Sequence, residues 1–195
     1  MLANEPDASP CPPAPELAAI RRFHTHPVNN IPSVRIWYEH LAAMRISERL
    51  PLSDLGPDQH IHGGLRIQFG ARFVPHLGYF GPDDACFITW LEELWSAAQA
   101  FEFATDVRYT FDEGEQGQPA FVFERVGDRA YFSIAASEFS GGEADPDWQH
   151  VEFSPVEFLA EHACFRESFF ATVRAAAPHV AEQWIRRHDP HRRNA

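Results

Sequence analysis

Residues 120–136 read AFVFERVGDRAYFSIAA, and this stretch decides the fold class. Two runs rich in Phe, Val, Tyr and Ile flank the pair Gly127-Asp128, which is typical of a two-residue β-hairpin turn. Further strands are predicted at 107–111 and 149–153, so that strands follow one another through short polar loops. Strands joined by such short links pair with their sequence neighbours, so we expect an antiparallel meander rather than parallel β-α-β units.

Helical patterns stand on both sides of this meander. Apolar residues recur at helical spacing over 85–102, directly after Asp83 and Asp84, which are expected to cap that helix. Residues 154–157, SPVE, predict a second helix start, because Ser is a favoured N-cap, Pro fits the first helical position and Glu can reach back to the cap. The predicted fold class is therefore α+β: an antiparallel meander sheet with one mid-chain helix and a long C-terminal helical pair packed on one face.

The predicted domain organisation has three parts. Residues 1–15 contain five prolines and little that could be buried, so they predict a disordered Pro-rich leader. Residues 16–187 are expected to form a single globular α+β domain, since 45% of the chain is apolar. Residues 188–195 form a basic tail that is expected to fray. Strands are also indicated at 34–38 and 63–73, but the order of strands in this first half is left open.

Several function classes find no support in the sequence. No apolar run approaches the roughly 20 residues of a membrane span, and the N-terminus lacks the apolar segment of a signal peptide, so a cytoplasmic protein is expected. Residues 62–65, HGGL, precede a strand and include no Lys, so no phosphate-binding loop is predicted. The three cysteines, Cys11, Cys86 and Cys164, have no C-x-x-C spacing and predict neither a zinc finger nor a disulfide framework. No catalytic residue and no cofactor are predicted.

The negative charge of the chain is concentrated in its centre. Residues 82–161 hold eighteen Asp and Glu but only three Arg, whereas residues 1–81 hold seven acids and seven Arg. This one segment accounts for the formal net charge of −12. A negative field on a folded surface attracts cations and repels phosphate, so a basic protein partner is expected and a nucleic-acid partner is not.

Two polar loops of the meander are predicted to form the binding surface, because both are rich in acids and the second also carries aromatic residues. The candidate partner-binding residues are Asp112, Glu113, Glu115, Glu138, Phe139, Glu143, Asp145, Asp147 and Trp148. Aromatic side chains flanked by charge are typical of an interface hot spot with a polar rim. The alternative is an acidic surface that serves only solubility.

Two His-x-His pairs, His24/His26 and His60/His62, have the only metal-like spacing in the sequence. Residues two apart share one face of an extended strand, so each pair could offer two imidazoles to one ion. Neither pair has a third ligand at a recognised spacing, so no metal site is predicted. A metal-assisted hydrolase that uses His60 and His62 with a distant carboxylate is kept as the alternative function.

A family resemblance extends over residues 105–173. Within it, QPAFVF at 118–123, VGDR at 126–129 and VEFSPVEF at 151–158, followed by a long Phe-rich helix, resemble the C-terminal half of small bacterial immunity proteins associated with polymorphic toxins. The resemblance implies an antitoxin that neutralises a cationic toxin by stoichiometric binding. The expected function is therefore that of a non-enzymatic acidic binding protein. A subunit that self-associates through its tail and acidic face is a third possibility, and the oligomeric state is not predicted.

Overall fold

The first half of the chain forms an antiparallel sheet in the computed structural model, which describes residues 33–114 and 117–193. Its strands are β1 (Val34–Arg45), β2 (Glu48–Pro51), β3 (His60–Phe69), β4 (Arg72–Phe73) and β5 (Ala85–Cys86). The strand order is β2-β1-β3-β4, and β5 also pairs with β3. The order that the sequence left open is thus built on two long neighbours, β1 and β3, with short strands beside them.

A second antiparallel sheet follows in the centre of the chain and confirms the predicted meander. Its strands are β6 (Asp106–Phe111), β7 (Ala120–Val126), β8 (Arg129–Ala135) and β9 (Val151–Phe153), in that spatial order. The hairpin between β7 and β8 turns at Gly127, whose φ of 62° lies in the left-handed region that favours glycine.

Helices occupy the middle and the end of the chain, so the α+β class is confirmed. They are α1 (Phe87–Phe103), α2 (Pro155–Ala176), α3 (Ala181–His188) and α4 (Pro190–Arg193), and short 3-10 turns lie at Leu52–Asp54 and Pro146–Trp148. Within the described residues, none of these helices combines the length and the apolar character needed to cross a membrane.

The two predicted helix starts have different outcomes. Ser154 caps α2 as predicted, because its Oγ accepts a hydrogen bond of 3.3 Å from the N–H of Glu157. The predicted cap of α1 is wrong, since Cys86 occupies the N-cap position and no side chain among the described residues caps this helix. Asp83 and Asp84 are drawn away from it by longer-range partners in the first sheet, described below.

Both sheets and α2 share one aromatic core. Phe69 of β3 packs against Phe132 of β8 and Phe153 of β9, with ring centroids 5.1 and 4.7 Å apart. On the same face of the first sheet, Tyr38 of β1 hydrogen-bonds Thr172 of α2 through its hydroxyl, at 2.6 Å. The first half of the chain therefore completes the core of the meander.

The C-terminal segment is anchored rather than frayed. Residues 188–193 are helical or connect helices, and the side chain of Asp189 is fully buried. Arg166 of α2 binds both carboxylate oxygens of Asp189, at 3.0 and 2.5 Å. The expectation of a fraying tail is therefore wrong for residues 188–193, while residues 194–195 and the predicted leader at 1–15 lie outside the described residues.

A buried histidine in this region makes stability depend on pH. The ring of His162 stacks on that of His191 with centroids 6.0 Å apart, and burial together with the nearby charges of His191 and Arg166 lowers the pKa of His162 to about 4. A histidine in the unfolded chain has a pKa of about 6.5. Between pH 4 and pH 6.5, His162 is therefore protonated in the unfolded chain and neutral in the folded chain. Above pH 6.5 this group therefore leaves the free energy of unfolding at its full value, and the free energy of unfolding decreases as the pH falls from 6.5 towards 4.

We expect urea unfolding to give a free energy of unfolding about 2 kcal/mol lower at pH 5 than at pH 7 from this group. The variant His162→Gln should show a correspondingly smaller difference between the two pH values. His150→Gln is the matched control, because His150 is exposed. An unaltered pH dependence in His162→Gln would contradict the assignment.

Candidate functional site

The two loops that carry the predicted acids pack against each other at one end of the second sheet. We call residues 112–118 and 137–148 the acidic loop pair. Asp112 joins them, because its carboxylate accepts hydrogen bonds from Ser137 Oγ at 2.8 Å and from the N–H of Glu138 at 2.9 Å. Gly142 permits the close approach, since a Cβ there would lie 2.2 Å from the carbonyl oxygen of Gln118.

The predicted site residues divide into exposed and structural ones. Glu138, Glu143 and Asp147 are exposed, and 75% of Phe139 is open to solvent. Asp145 is half-buried and accepts a hydrogen bond of 2.9 Å from the N–H of Asp147, so it shapes the loop. Of the remaining acids, Asp112 joins the loops, Glu113 accepts a hydrogen bond from the hydroxyl of Tyr79, and Glu115 lies outside the described residues.

Trp148 is a correction to the predicted surface. Only 6% of this residue is exposed, because the 3-10 turn at Pro146–Trp148 directs the indole into the core. There it makes an edge contact with Phe132 at 5.8 Å, and the guanidinium of Arg72 covers its ring at 4.2 Å. Trp148 supports the loop from beneath, and Phe139 alone supplies the exposed aromatic side chain that was predicted.

The acids of the first sheet and those of the acidic loop pair differ in their partners. Arginines neutralise the first group: Glu39 and Asp83 with Arg66, Glu48 with Arg45, Asp84 with Arg49, and Asp58 with Arg187. Within the described part of the chain, no salt bridge involves Asp112, Glu138, Glu143, Asp145 or Asp147. The charge of these five acids is therefore not offset by a direct ion pair, although the guanidinium of Arg72 lies against the second loop and donates a hydrogen bond to the carbonyl oxygen of Asp147.

A second candidate site lies at His60 and His62, one of the two His-x-His pairs found in the sequence. His60 and His62 are two apart on β3, so their rings share one face, and β5 pairs with β3 so that Cys86 stands opposite His62. One donor atom from each of these three side chains lies within 4.8 Å of the others. His24 and His26 lie outside the described residues.

Hydrogen bonds organise this cluster. Cys86 Sγ lies 3.6 Å from His60 Nδ1, and His62 Nδ1 lies 2.8 Å from Asp84 Oδ1. Burial alone would raise the pKa of the Cys86 thiol, but hydrogen bonds with His62 and Thr89 outweigh it and lower that pKa. For His62, burial opposes protonation, yet the bonds to Cys86 and Asp84 leave its pKa raised. The surroundings therefore make the Cys86 thiol more acidic than an ordinary cysteine.

The cluster borders a surface cleft. The cleft has a volume of about 590 Å³, and His62, Tyr79 and Asp84 line it. Phe80 and Arg49 also line it. His188 lies close to the cluster. Burial, together with repulsion from Arg187 and His60, lowers the pKa of His188 to about 4. Its Nε2 is buried and makes no hydrogen bond within the described residues.

The fold and the two sites define an α+β protein with an acidic loop pair at one end of its second sheet and a separate histidine-cysteine cluster. Comparisons with protein-family models, with curated proteins and with solved structures give no match for this chain. The resemblance of residues 105–173 to immunity proteins thus stays a prediction.

Proposed function

We propose that this protein is a non-enzymatic binding protein that captures a cationic protein surface with its acidic loop pair. The observation that carries the proposal is a contrast in charge pairing: arginines neutralise the acids of the first sheet, whereas among the described residues no salt bridge involves Asp112, Glu138, Glu143, Asp145 or Asp147. An uncompensated field of one sign speeds the encounter with an oppositely charged partner, by about 10- to 1,000-fold in steered associations.

Phe139 gives this surface an apolar anchor. Its side chain is exposed next to Glu138, while the turn beneath it is fixed by Ser137 Oγ, which accepts hydrogen bonds from the N–H groups of Phe139 and Ser140 at 3.1 and 2.8 Å. A preformed loop loses less conformational entropy on binding than a flexible one. An aromatic residue held in this way, with acids around it, fits the pattern of a hot spot with a charged rim.

The resemblance to immunity proteins suggests the kind of partner. A basic toxin or effector domain, met in the cytoplasm and blocked in a one-to-one complex, would match the negative charge of the surface. Fast capture through charge and slow release through the buried aromatic contact would together give such a complex its affinity.

Charge reversal tests this function. We expect the triple variant Glu138→Lys, Glu143→Lys, Asp147→Lys to bind a basic partner co-purified from the native host at least about tenfold more slowly at low ionic strength. These three side chains are exposed, whereas Asp145 is spared because it shapes the loop. Stopped-flow or surface-based kinetics at two salt concentrations measure the association rate.

A second triple variant separates local from global charge. Asp106→Lys, Asp128→Lys, Glu167→Lys changes the net charge equally at exposed positions, and two of the three lie at the opposite end of the second sheet. It should retain most of the wild-type association rate, and both variants should unfold at the wild-type urea concentration. Equal losses in the two variants, or no loss in the first, would remove the proposed role of the loop pair.

A further inference from the structure

The cluster of His60, His62 and Cys86 has the donor set of a zinc site. Its atoms are two imidazole nitrogens and one sulfur, all mutually within 4.8 Å. Thiolate and imidazole ligands select zinc-like ions over magnesium or calcium, which prefer oxygen. Three protein ligands are also the usual number in zinc sites that keep one coordination position open.

The distance between donor atoms fits a bound zinc ion. With a Zn–N bond of about 2.0–2.1 Å and a Zn–S bond of about 2.3 Å, tetrahedral geometry separates nitrogen from sulfur by about 3.6 Å. Cys86 Sγ and His60 Nδ1 are 3.6 Å apart. An ion could thus be held between these two atoms without a change in the distance that separates them.

Asp84 supplies the supporting interaction that zinc-binding histidines require. It lies 2.8 Å from His62 Nδ1, so that nitrogen carries the proton and Nε2 keeps its lone pair for a ligand. The backbone fixes the rest of the geometry: His60 and His62 share one face of β3, and Cys86 is held opposite His62 by strand pairing. Only 4% of Cys86 is exposed, while His60 is open to solvent, which gives an ion a path to a partly dry site.

We infer that His60, His62 and Cys86 bind one zinc ion, with Asp84 orienting His62 and the fourth position left to water or to a molecule in the cleft. This site is independent of the proposed partner surface, because the two share no residue. It explains why Asp84 faces the first sheet instead of capping α1, and it gives the histidine pair of β3 the third ligand that the sequence did not reveal.

The test uses the untagged full-length chain with zinc chloride and a chromophoric chelator as competitor, and cobalt(II) as a spectroscopic probe. We expect one zinc ion per chain, and a cobalt complex with the thiolate-to-metal absorption of a sulfur ligand. Cys86→Ser should lose that absorption, and Cys86→Ser and His62→Ala should each weaken zinc binding at least about 100-fold. Asp84→Ala should weaken it by about 10- to 100-fold, as is usual for a residue that orients a ligand.

The double variant His24→Ala, His26→Ala is the matched control, because it removes the other His-x-His pair and should leave zinc affinity unchanged. Circular dichroism and urea unfolding of each metal-free variant verify that it folds. Absence of stoichiometric zinc binding at micromolar concentration would overturn the inference. So would a Cys86→Ser variant that folds and retains the wild-type affinity, or a control variant that loses the metal.

Discussion

Replacing Arg166 with alanine is expected to lower the free energy of unfolding by about 3–5 kcal/mol. The guanidinium of Arg166 holds both oxygens of the fully buried Asp189, at 3.0 and 2.5 Å. Without it, the Asp189 carboxylate would be left in a medium of low dielectric constant without its main counter-charge, and the junction of α2 with α3 and α4 would loosen. Urea unfolding followed by circular dichroism at pH 7 measures the change.

Arg174→Ala is the matched control, because Arg174 also lies on α2 and pairs with Glu182 of α3 at 2.6 Å, but on the surface. Exposed ion pairs contribute about 0–1 kcal/mol, so a small loss is expected there. Equal losses in both variants would contradict the argument from burial.

The meander could be predicted because its signals are local. A period of two in the apolar residues, the Gly127-Asp128 turn and the Ser154 cap each depend on neighbours in sequence, and all three are confirmed. The cap of α1 could not be predicted in the same way. Asp84 has the chemistry of an N-cap, but His62 of β3 competes for its carboxylate, and no local pattern reveals that partner.

The candidate sites could likewise be predicted only where their signals are local in the sequence. The acids of the loop pair are visible in the composition, but Trp148 is surrounded by acids in sequence and still turns inward, because Phe132 and Arg72 receive its ring. The histidine pair on β3 could be found by its spacing. Cys86 could not be assigned to it, since it lies 26 positions from His60 on a strand of two residues, too short to show a period. Only strand pairing brings them together.

Phe69→Ala is expected to lower the free energy of unfolding by about 3–5 kcal/mol, the range found when a buried aromatic side chain is truncated. Phe69 of β3 is fully buried, and its ring contacts both Phe132 and Phe153 of the second sheet. The variant would open a cavity where the two sheets meet, so both should lose stability together. Urea unfolding followed by tryptophan fluorescence and by far-ultraviolet circular dichroism tests whether the two probes still report one transition.

Phe103→Ala is the control of equal chemistry, because 83% of Phe103 is exposed at the end of α1, and a change within about 0.5 kcal/mol is expected. Phe69→Leu keeps most of the side-chain volume and should lower the free energy of unfolding by less than Phe69→Ala does. It also provides a protein that can be measured if Phe69→Ala does not fold. Phe69 is one of the contacts through which the two sheets share their core. Loss of the first sheet alone, with the second still folded at the wild-type midpoint, would show that the meander is stable without the contact that β3 provides.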